Sequence, residues 1–452
     1  MVTEDMKQEM KVPKRILDAL LSSLSAGVVP RSGAPYIAIG RAEEIAALLE
    51  NLDTVADGGA AVRFLIGRYG SGKSFLIQLL RGYALDRGFV TADVDLSPER
   101  RLCGGNSSGL FTYRELLRNM ATKAAPDGGA LPMMLSRQLS RLKSALVEEG
   151  ILPDTPAFHD TLKKRLFRSI GQVEGHVGGF DFAAVLSAYY QALLEEAGDR
   201  QSACLRWLRG EYANKTEAKA ALGFSVSTVI NDDNWYDFIK LWAGFSVQIG
   251  YVGLVVFIDE CVNLYKIPNR ISREANYEKL LSIFNDTLQG RAQALGVIFS
   301  GTPQFLEDPR RGLFSYEALR SRLADSRFTE LGYANFTAPV IRLRRMSDNE
   351  LLALLARLTR LWEQRYPAAP LVSGEQMQHF LSQSLARAGA DELLTPREMI
   401  RNYLTLLAIL RDNPETTFEQ LWQPSVEHPS GKPEEDGEGG GVRTVQLFDL
   451  QL

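Results

Sequence analysis

Apolar residues recur along the chain in two rhythms. Over 12–26 (VPKRILDALLSSLSA), Ile16, Leu17, Leu20, Leu21 and Leu24 fall three and four apart, which predicts a helix with one buried face. Gly27 stops it, and Pro30, Gly33 and Pro35 predict a loop. A second helix is expected over 42–52. Asp57-Gly58-Gly59 then reads as a turn and 62–66 as a short apolar strand. A Gly-rich loop follows, then a helix over about 73–86 and a strand over 89–96 (FVTADVDL). From 105 to 245 the pattern is mainly helical, broken by Gly and Pro at 126–129, 150–156, 171–179 and 209–224. Residues 251–258 are apolar without interruption, as suits a strand covered on both faces of a parallel sheet. A helix over 275–289 and a strand over 295–299 complete this part. Helices are expected again over 347–363, 373–388 and 396–411. Residues 428–441 (HPSGKPEEDGEGGG) read as a disordered tether, and 445–452 (VQLFDLQL) as an apolar peptide able to dock on a partner. Strand, loop and helix units thus frame a long helical stretch, and the sheet should be parallel.

Candidate chemistry gives this frame a purpose. Gly67-Arg68-Tyr69-Gly70-Ser71-Gly72-Lys73-Ser74, with Phe75 next, fits G-x-x-x-x-G-K-[ST] between a strand and a helix. Gly70 and Gly72 permit backbone conformations that turn consecutive N–H groups toward one anion. The helix start adds its positive dipole end. Lys73 would reach the β- and γ-phosphates, and Ser74 would hold Mg²⁺. The apolar run of 254–258 ends in Asp259-Glu260. Asp259 can hold the cation through water, and Glu260 can polarise an attacking water as general base. A Gly-rich turn and a pair of surface acids are the bland alternatives, weakened because the two motifs occur together. Strand 295–299 runs into Ser300-Gly301-Thr302-Pro303, where either Ser300 or Thr302 could sit between phosphate and water. The stretch 308–327 carries Arg310, Arg311, Arg320, Arg322 and Arg327. Arg320 or Arg322 is the candidate for an arginine supplied to a neighbour's phosphate, the alternative being pairing with Glu317 or Asp325. Thr395-Pro396-Arg397-Glu398 reads as a helix N-cap that aims Arg397 from the first turn.

This series resembles the AAA+ superfamily, most of all its origin-recognition and STAND-like branches. Ile39-Gly40-Arg41-x-x-Glu44 is similar to the box that packs near adenine. Residues 67–74 match Walker A and Asp259-Glu260 match Walker B. Ser300 or Thr302 takes the sensor 1 place, Arg320 or Arg322 that of the arginine finger, and Arg397 that of sensor 2. Further stretches resemble the ATP-binding proteins of BREX phage-defence systems, the BrxD type: GVVPR (27–31), YGSGKS (69–74), WLRGEYANKTEAK (207–219), SGTP (300–303) and RGLFSYEALRSRL (311–323). The resemblance implies an α/β P-loop NTPase with a parallel sheet, a large helical insertion and a C-terminal helical lid. It implies ATP and Mg²⁺ as cofactors, a bacterial cytoplasmic setting, and other defence proteins, including a helicase, as partners. A finger acting in trans implies a ring or arc of copies, formed with nucleotide or DNA. A nucleotide-gated switch with little turnover and an ATP-dependent scaffold are the other readings.

The expected division is 1–104 for the first helix and first part of the core, 105–245 for the insertion, and 246–334 for the second part. Residues 335–425 form the lid and 426–452 the tether and terminal peptide. Asp259 lies 186 residues after Lys73, farther than a minimal core needs, so the extra length sits between the two motifs. About 40 residues follow the third lid helix, too few for a full winged-helix domain.

Composition bounds the rest. At 452 residues the chain suits roughly three units of about 150 residues each. The longest apolar run is about eight residues against the roughly twenty of a membrane-spanning helix, and 1–30 lack a signal-peptide pattern. Three cysteines without metal-type spacing suit a reducing compartment, and Cys261 reads as a buried small residue. Net charge is −4, so any contact with DNA must come from local patches or an assembly. Residues 217–225 look like half of a helix-turn-helix but read better as a structural turn, since acids follow in place of base-reading donors. Lys163-Lys164-Arg165 and 342–345 (RLRR) read as solvated or ion-paired basic clusters before phosphate contacts.

Overall fold

The computed structural model describes residues 11–153, 155–171, 177–326, 335–369, 372–386 and 395–422. Arg327, the acidic tether and the terminal peptide lie outside these residues.

Five strands form one parallel sheet: β1 (Ala60–Ile66), β2 (Val90–Asp95), β3 (Leu254–Asp259), β4 (Leu295–Gly301) and β5 (Val340–Arg342). Their order is β2-β3-β4-β1-β5, so β4 lies between the strand feeding the Gly-rich loop and the strand ending in acids. The continuous apolar run at 254–258 is explained by its two partners. Leu254, Val256 and Ile258 enter one hydrophobic cluster, Val255 and Phe257 another. Helices α1 (Lys14–Ser25), α2 (Ala42–Ala56) and α3 (Lys73–Asp86) form close to the expected positions. From α2, Leu48 and Leu52, and from α3, Leu76 and Leu80, cover the Val255 face. β5 was not foreseen: three residues are too short to show a periodicity, and it adds to the edge beside β1 with Phe64 N–H donating to the Pro339 carbonyl at 2.9 Å.

The stretch between β2 and β3 folds as α4 (Ser108–Arg118), α5 (Leu131–Glu148), α6 (Pro156–Gly171), α7 (Gly179–Leu194), α8 (Gly198–Leu208), α9 (Lys215–Leu222) and α10 (Trp235–Gln248). Its core is continuous with the sheet, because α4 packs on β2 and α10 on β3. A buried polar chain ties these helices together. Trp242 Nε1 donates to the Tyr113 hydroxyl at 3.0 Å, which donates to the Leu208 carbonyl at 2.7 Å. After β3 come α11 (Val262–Tyr265) and α12 (Arg270–Leu288), and after β4 come α13 (Pro303–Glu307) and α14 (Glu317–Leu323).

The C-terminal part comprises α15 (Asp348–Arg365), α16 (Gly374–Ala386), α17 (Pro396–Asp412) and α18 (Phe418–Leu421). α15, α17 and α18 each start with a Ser or Thr capping box. The fourth wall of this helical lid comes from the other end of the chain. Leu17, Leu20, Leu21 and Leu24 of α1 share one cluster with Leu355 and Leu358 of α15 and with Tyr403, Leu404 and Leu407 of α17. α1 therefore packs with the lid, and the chain crosses between lid and sheet twice, after α1 and after β5.

Candidate nucleotide site

Backbone geometry makes the loop after β1 a concave cradle. Gly70 (φ 76°) and Gly72 (φ 91°) are left-handed, a conformation that side chains disfavour, and α3 begins at Lys73. Lys73 Nζ donates to the carbonyls of Gly67 (2.8 Å) and Arg68 (3.0 Å). Partial burial pushes its ammonium below the usual lysine range, partly offset by the charges of Asp259 and Glu260. Arg68 and Tyr69 project outward, Tyr69 being 78% exposed, while Ser71 faces inward. Phe75, one residue past the motif, packs against both the lid cluster and the cluster beneath the sheet.

The acids arrive from the adjacent strands. The Ser74 hydroxyl donates to Asp259 Oδ2 at 2.9 Å, joining the two motifs across 185 residues of chain. Their oxygens are hard, adjacent ligands of the kind a small divalent cation takes. Glu260 is exposed and left-handed (φ 56°), an uncommon conformation for a residue with a side chain. It is fixed from two sides: its own N–H donates to Asp259 Oδ1 at 2.7 Å, and the N–H of Cys261 donates to the Ser300 carbonyl at 3.0 Å. Cys261 is fully buried, as its sequence context suggested, and burial raises its thiol well above the usual range.

The two candidates on β4 separate here. Ser300 is completely buried and its hydroxyl has no partner among the described residues. By strand alternation it shares the face of Ile298, which packs beneath α3, and it stands one step past the Ile258–Phe299 pair, beside Asp259. Thr302 instead caps α13, its Oγ1 accepting from Phe305 N–H at 3.3 Å. A further carboxylate, missed in the sequence, lies in register with Asp259: Asp95, at the end of β2. Desolvation first, then the charges of Asp259, Asp93 and Glu260, raise its pKa above the ordinary carboxylate value. The available signal was the alternation of FVTADVDL, which puts Asp93 and Asp95 on one face.

A cavity of about 220 Å³ joins the Gly-rich loop and Glu260 to the lid. It is lined by the loop residues Tyr69 to Phe75, by Glu260, by apolar Val29, Ile37, Ile39, Met346 and Ile400, and by Arg397. Arg397 is exposed in the first turn of α17, behind the Thr395 cap. Thr395 in turn seats on Gly70: a side-chain carbon at Gly70 would lie 2.7 Å from Thr395 Cβ. Gly40 (φ 72°) lies just outside this cavity, with Glu350 of α15 against it. The structure does not bring Arg320 or Arg322 into the cavity. Both are exposed on α14; Arg322 donates to the Ala318 carbonyl at 2.6 Å, and Asp325 is taken by Arg342.

The secondary signals resolve in structural terms. α9 ends at Gly223, residues 224–234 form no helix, and α10 is buried through Trp235, Phe238, Trp242 and Phe245, so no recognition helix is presented. Arg165 pairs with Glu149, Arg342 with Glu307 and Asp325, and Arg344 with Glu350. No helix among the described residues is long and apolar enough to cross a membrane.

A parallel sheet with a Gly-rich loop between β1 and α3, and a serine of that loop bonded to an acid at the end of β3, defines a nucleotide-binding protein of the P-loop NTPase type. The family model described as BREX system ATP-binding protein BrxC/D matches residues 12–426, and the chain belongs to this family. No curated protein matches it.

Proposed function

We propose that the chain is a Mg²⁺-dependent ATPase whose turnover moves the lid against the sheet within a BREX defence assembly. The observation that carries this reading is the Ser74–Asp259 hydrogen bond with Glu260 held beside it at the wall of the loop's cavity. The phosphates lie on the N–H groups of the loop, and Lys73 exchanges its two carbonyl partners for phosphate oxygens. Ser74 and Asp259 would hold Mg²⁺, which neutralises developing charge on the phosphates. Glu260 takes the proton of the attacking water, and its fixed backbone keeps the carboxylate aimed. Ser300, buried beside Asp259 with an unused hydroxyl, is the better placed of the two β4 candidates to orient that water. Arg397 reaches the γ-phosphate from the lid. The base lies among Val29, Ile39, Met346 and Ile400.

Arg320 and Arg322, exposed and outside the cavity, fit a role toward a second copy of the chain. Assembly of copies, a helicase-type partner and DNA belong to this reading through that exposed helix and the membership in a defence system. The helical stretch 105–245 is the surface we assign to partners. A nucleotide-gated switch is the second reading, favoured by the direct seat of Thr395 on Gly70, which links lid position to the loop.

Phosphate release by wild type and Glu260→Gln, with and without DNA, tests the proposal. Glu260→Gln is expected to bind ATP normally and lose turnover by about 10²-fold or more. Wild type that binds ATP without turning it over would leave the switch in its place.

A further inference from the structure

Arg41 is one of the few charged side chains buried in this molecule, at 7% exposure, and it touches three separate parts of the fold. Its Nη1 donates to Glu44 Oε1 at 2.9 Å, an ion pair shielded on both sides. Its Nη2 donates to the Ser71 carbonyl of the phosphate loop at 3.0 Å and to the Arg344 carbonyl at 2.6 Å. Arg344 belongs to the short segment that joins β5 to the lid. Its own guanidinium grips Glu350 with two bonds of 2.6 Å, and the Ser347 N–H donates to Glu350 Oε2 at 2.8 Å. Glu350 is the capping residue of α15, and Gly40, the neighbour of Arg41, leaves it room to sit against the core. An unbroken path of charge-assisted bonds therefore runs from the phosphate loop through Arg41 and Arg344 to the first lid helix.

The chemistry of the link favours coupling over simple adhesion. A guanidinium is planar and always charged, so its rigid fork holds two carbonyls and the Glu44 carboxylate in one fixed relation, which a single ammonium nitrogen on a rotatable stem does not. Both carbonyls belong to backbone that must adjust if phosphates enter the loop or the lid rotates. The Glu44 pair leaves the guanidinium no other orientation without stranding a buried charge.

We propose that Arg41 is a positioning residue that couples occupancy of the phosphate loop to the position of the lid, by tying the Ser71 carbonyl to the Arg344 carbonyl. This rests on the nucleotide-site reading above but not on hydrolysis. Arg41 also lines the cavity, so removing the tie weakens ATP binding as well; with ATP saturating, the lid no longer follows.

Spin labels at Asp57→Cys, at the end of α2, and Glu375→Cys, on α16, in a Cys103→Ser background report the core–lid distance by pulsed EPR. In the otherwise wild-type chain, ATP should shift the distance distribution. In Arg41→Gln, at an ATP concentration that a binding titration of that variant shows to be saturating, the shift should vanish. Arg41→Lys keeps the charge but loses the planar fork; its shift should fall by about half or more in a chain that still melts cooperatively. It carries the test if Arg41→Gln does not fold. A full shift in either folded variant at saturating ATP, or no shift in wild type at saturating ATP, would overturn the proposal. Phosphate release on the same samples separates the two ideas: if wild type shifts without turnover, the ATPase reading fails and this one stands.

Discussion

Ser300 and Thr302 stand two residues apart on one strand end, yet only the Thr302 hydroxyl is bonded among the described residues. Thr302 is engaged as a helix cap, so Thr302→Ala should lower stability by about 1 kcal/mol and leave catalytic steps largely alone. Ser300 has a buried hydroxyl with no partner, so Ser300→Ala should leave the melting temperature unchanged or raise it slightly, while ATP turnover falls. Thermal melts and phosphate release on the two variants make the comparison. At this scale much of the candidate site was legible, in that the structure brings Ser74, Asp259 and Glu260 beside the Gly-rich loop. Lys73, Ser74, Asp259 and Glu260 declare themselves because phosphate chemistry restricts residue types and spacing. Arg41 and Asp95 did not. Arg41 stood inside a recognised box, but its partners Ser71 and Arg344 are 30 and 303 residues away. Asp95 gains meaning only from the register that sets it opposite Asp259.

Among elements, α1 departs most from what sequence position suggests. It precedes the core in the chain but is packed into the lid, with Leu20 fully buried there. Leu20→Ala should cost about 2–5 kcal/mol, and the loss should show as easier proteolysis of α16 and α17 with the sheet still protected. Glu350 predicts a pH effect at the other crossing. Its carboxyl lies at about 2, below the usual 4.5, chiefly because Arg344 bonds it, helped by Ser347. A lowered carboxylate contributes fully above its unfolded value and loses that contribution as pH falls toward the folded one. The stability difference between wild type and Glu350→Gln should therefore be constant above pH 4.5 and narrow progressively as pH falls toward 2, as thermal melts at each pH would show. The starts of α15 and α17 were readable, since Ser347 and Thr395 are local caps, whereas α18 behind Thr417 and the first five residues of α12 were not anticipated. The three-residue β5 was not, because its existence depends on β1 as partner.

For the molecule as a whole, the exposed arginines of α14 set the prediction. If they serve a neighbouring copy, Glu260→Gln with ATP should assemble, and Arg320→Ala or Arg322→Ala should lower turnover while each monomer still binds ATP. Mass measurement with ATP and phosphate release on mixed wild-type and variant chains check this; a strictly monomeric Glu260→Gln, even with DNA and partners, would remove the neighbour's arginine from the mechanism. Sequence by itself determined the class of fold and the residues of its Gly-rich loop. Apolar rhythm, glycines at the cradle and acids at a strand end are local consequences of backbone sterics and phosphate charge. Tertiary structure decided which distant pieces meet. Burial of apolar faces put α1 in the lid and the insertion's helices on the sheet, strand register set Asp95 and Ser300 on either side of Asp259, and the need to satisfy a buried guanidinium drew the phosphate loop and the lid segment to Arg41. Those outcomes depend on contacts between residues far apart in the chain, which no local pattern encodes.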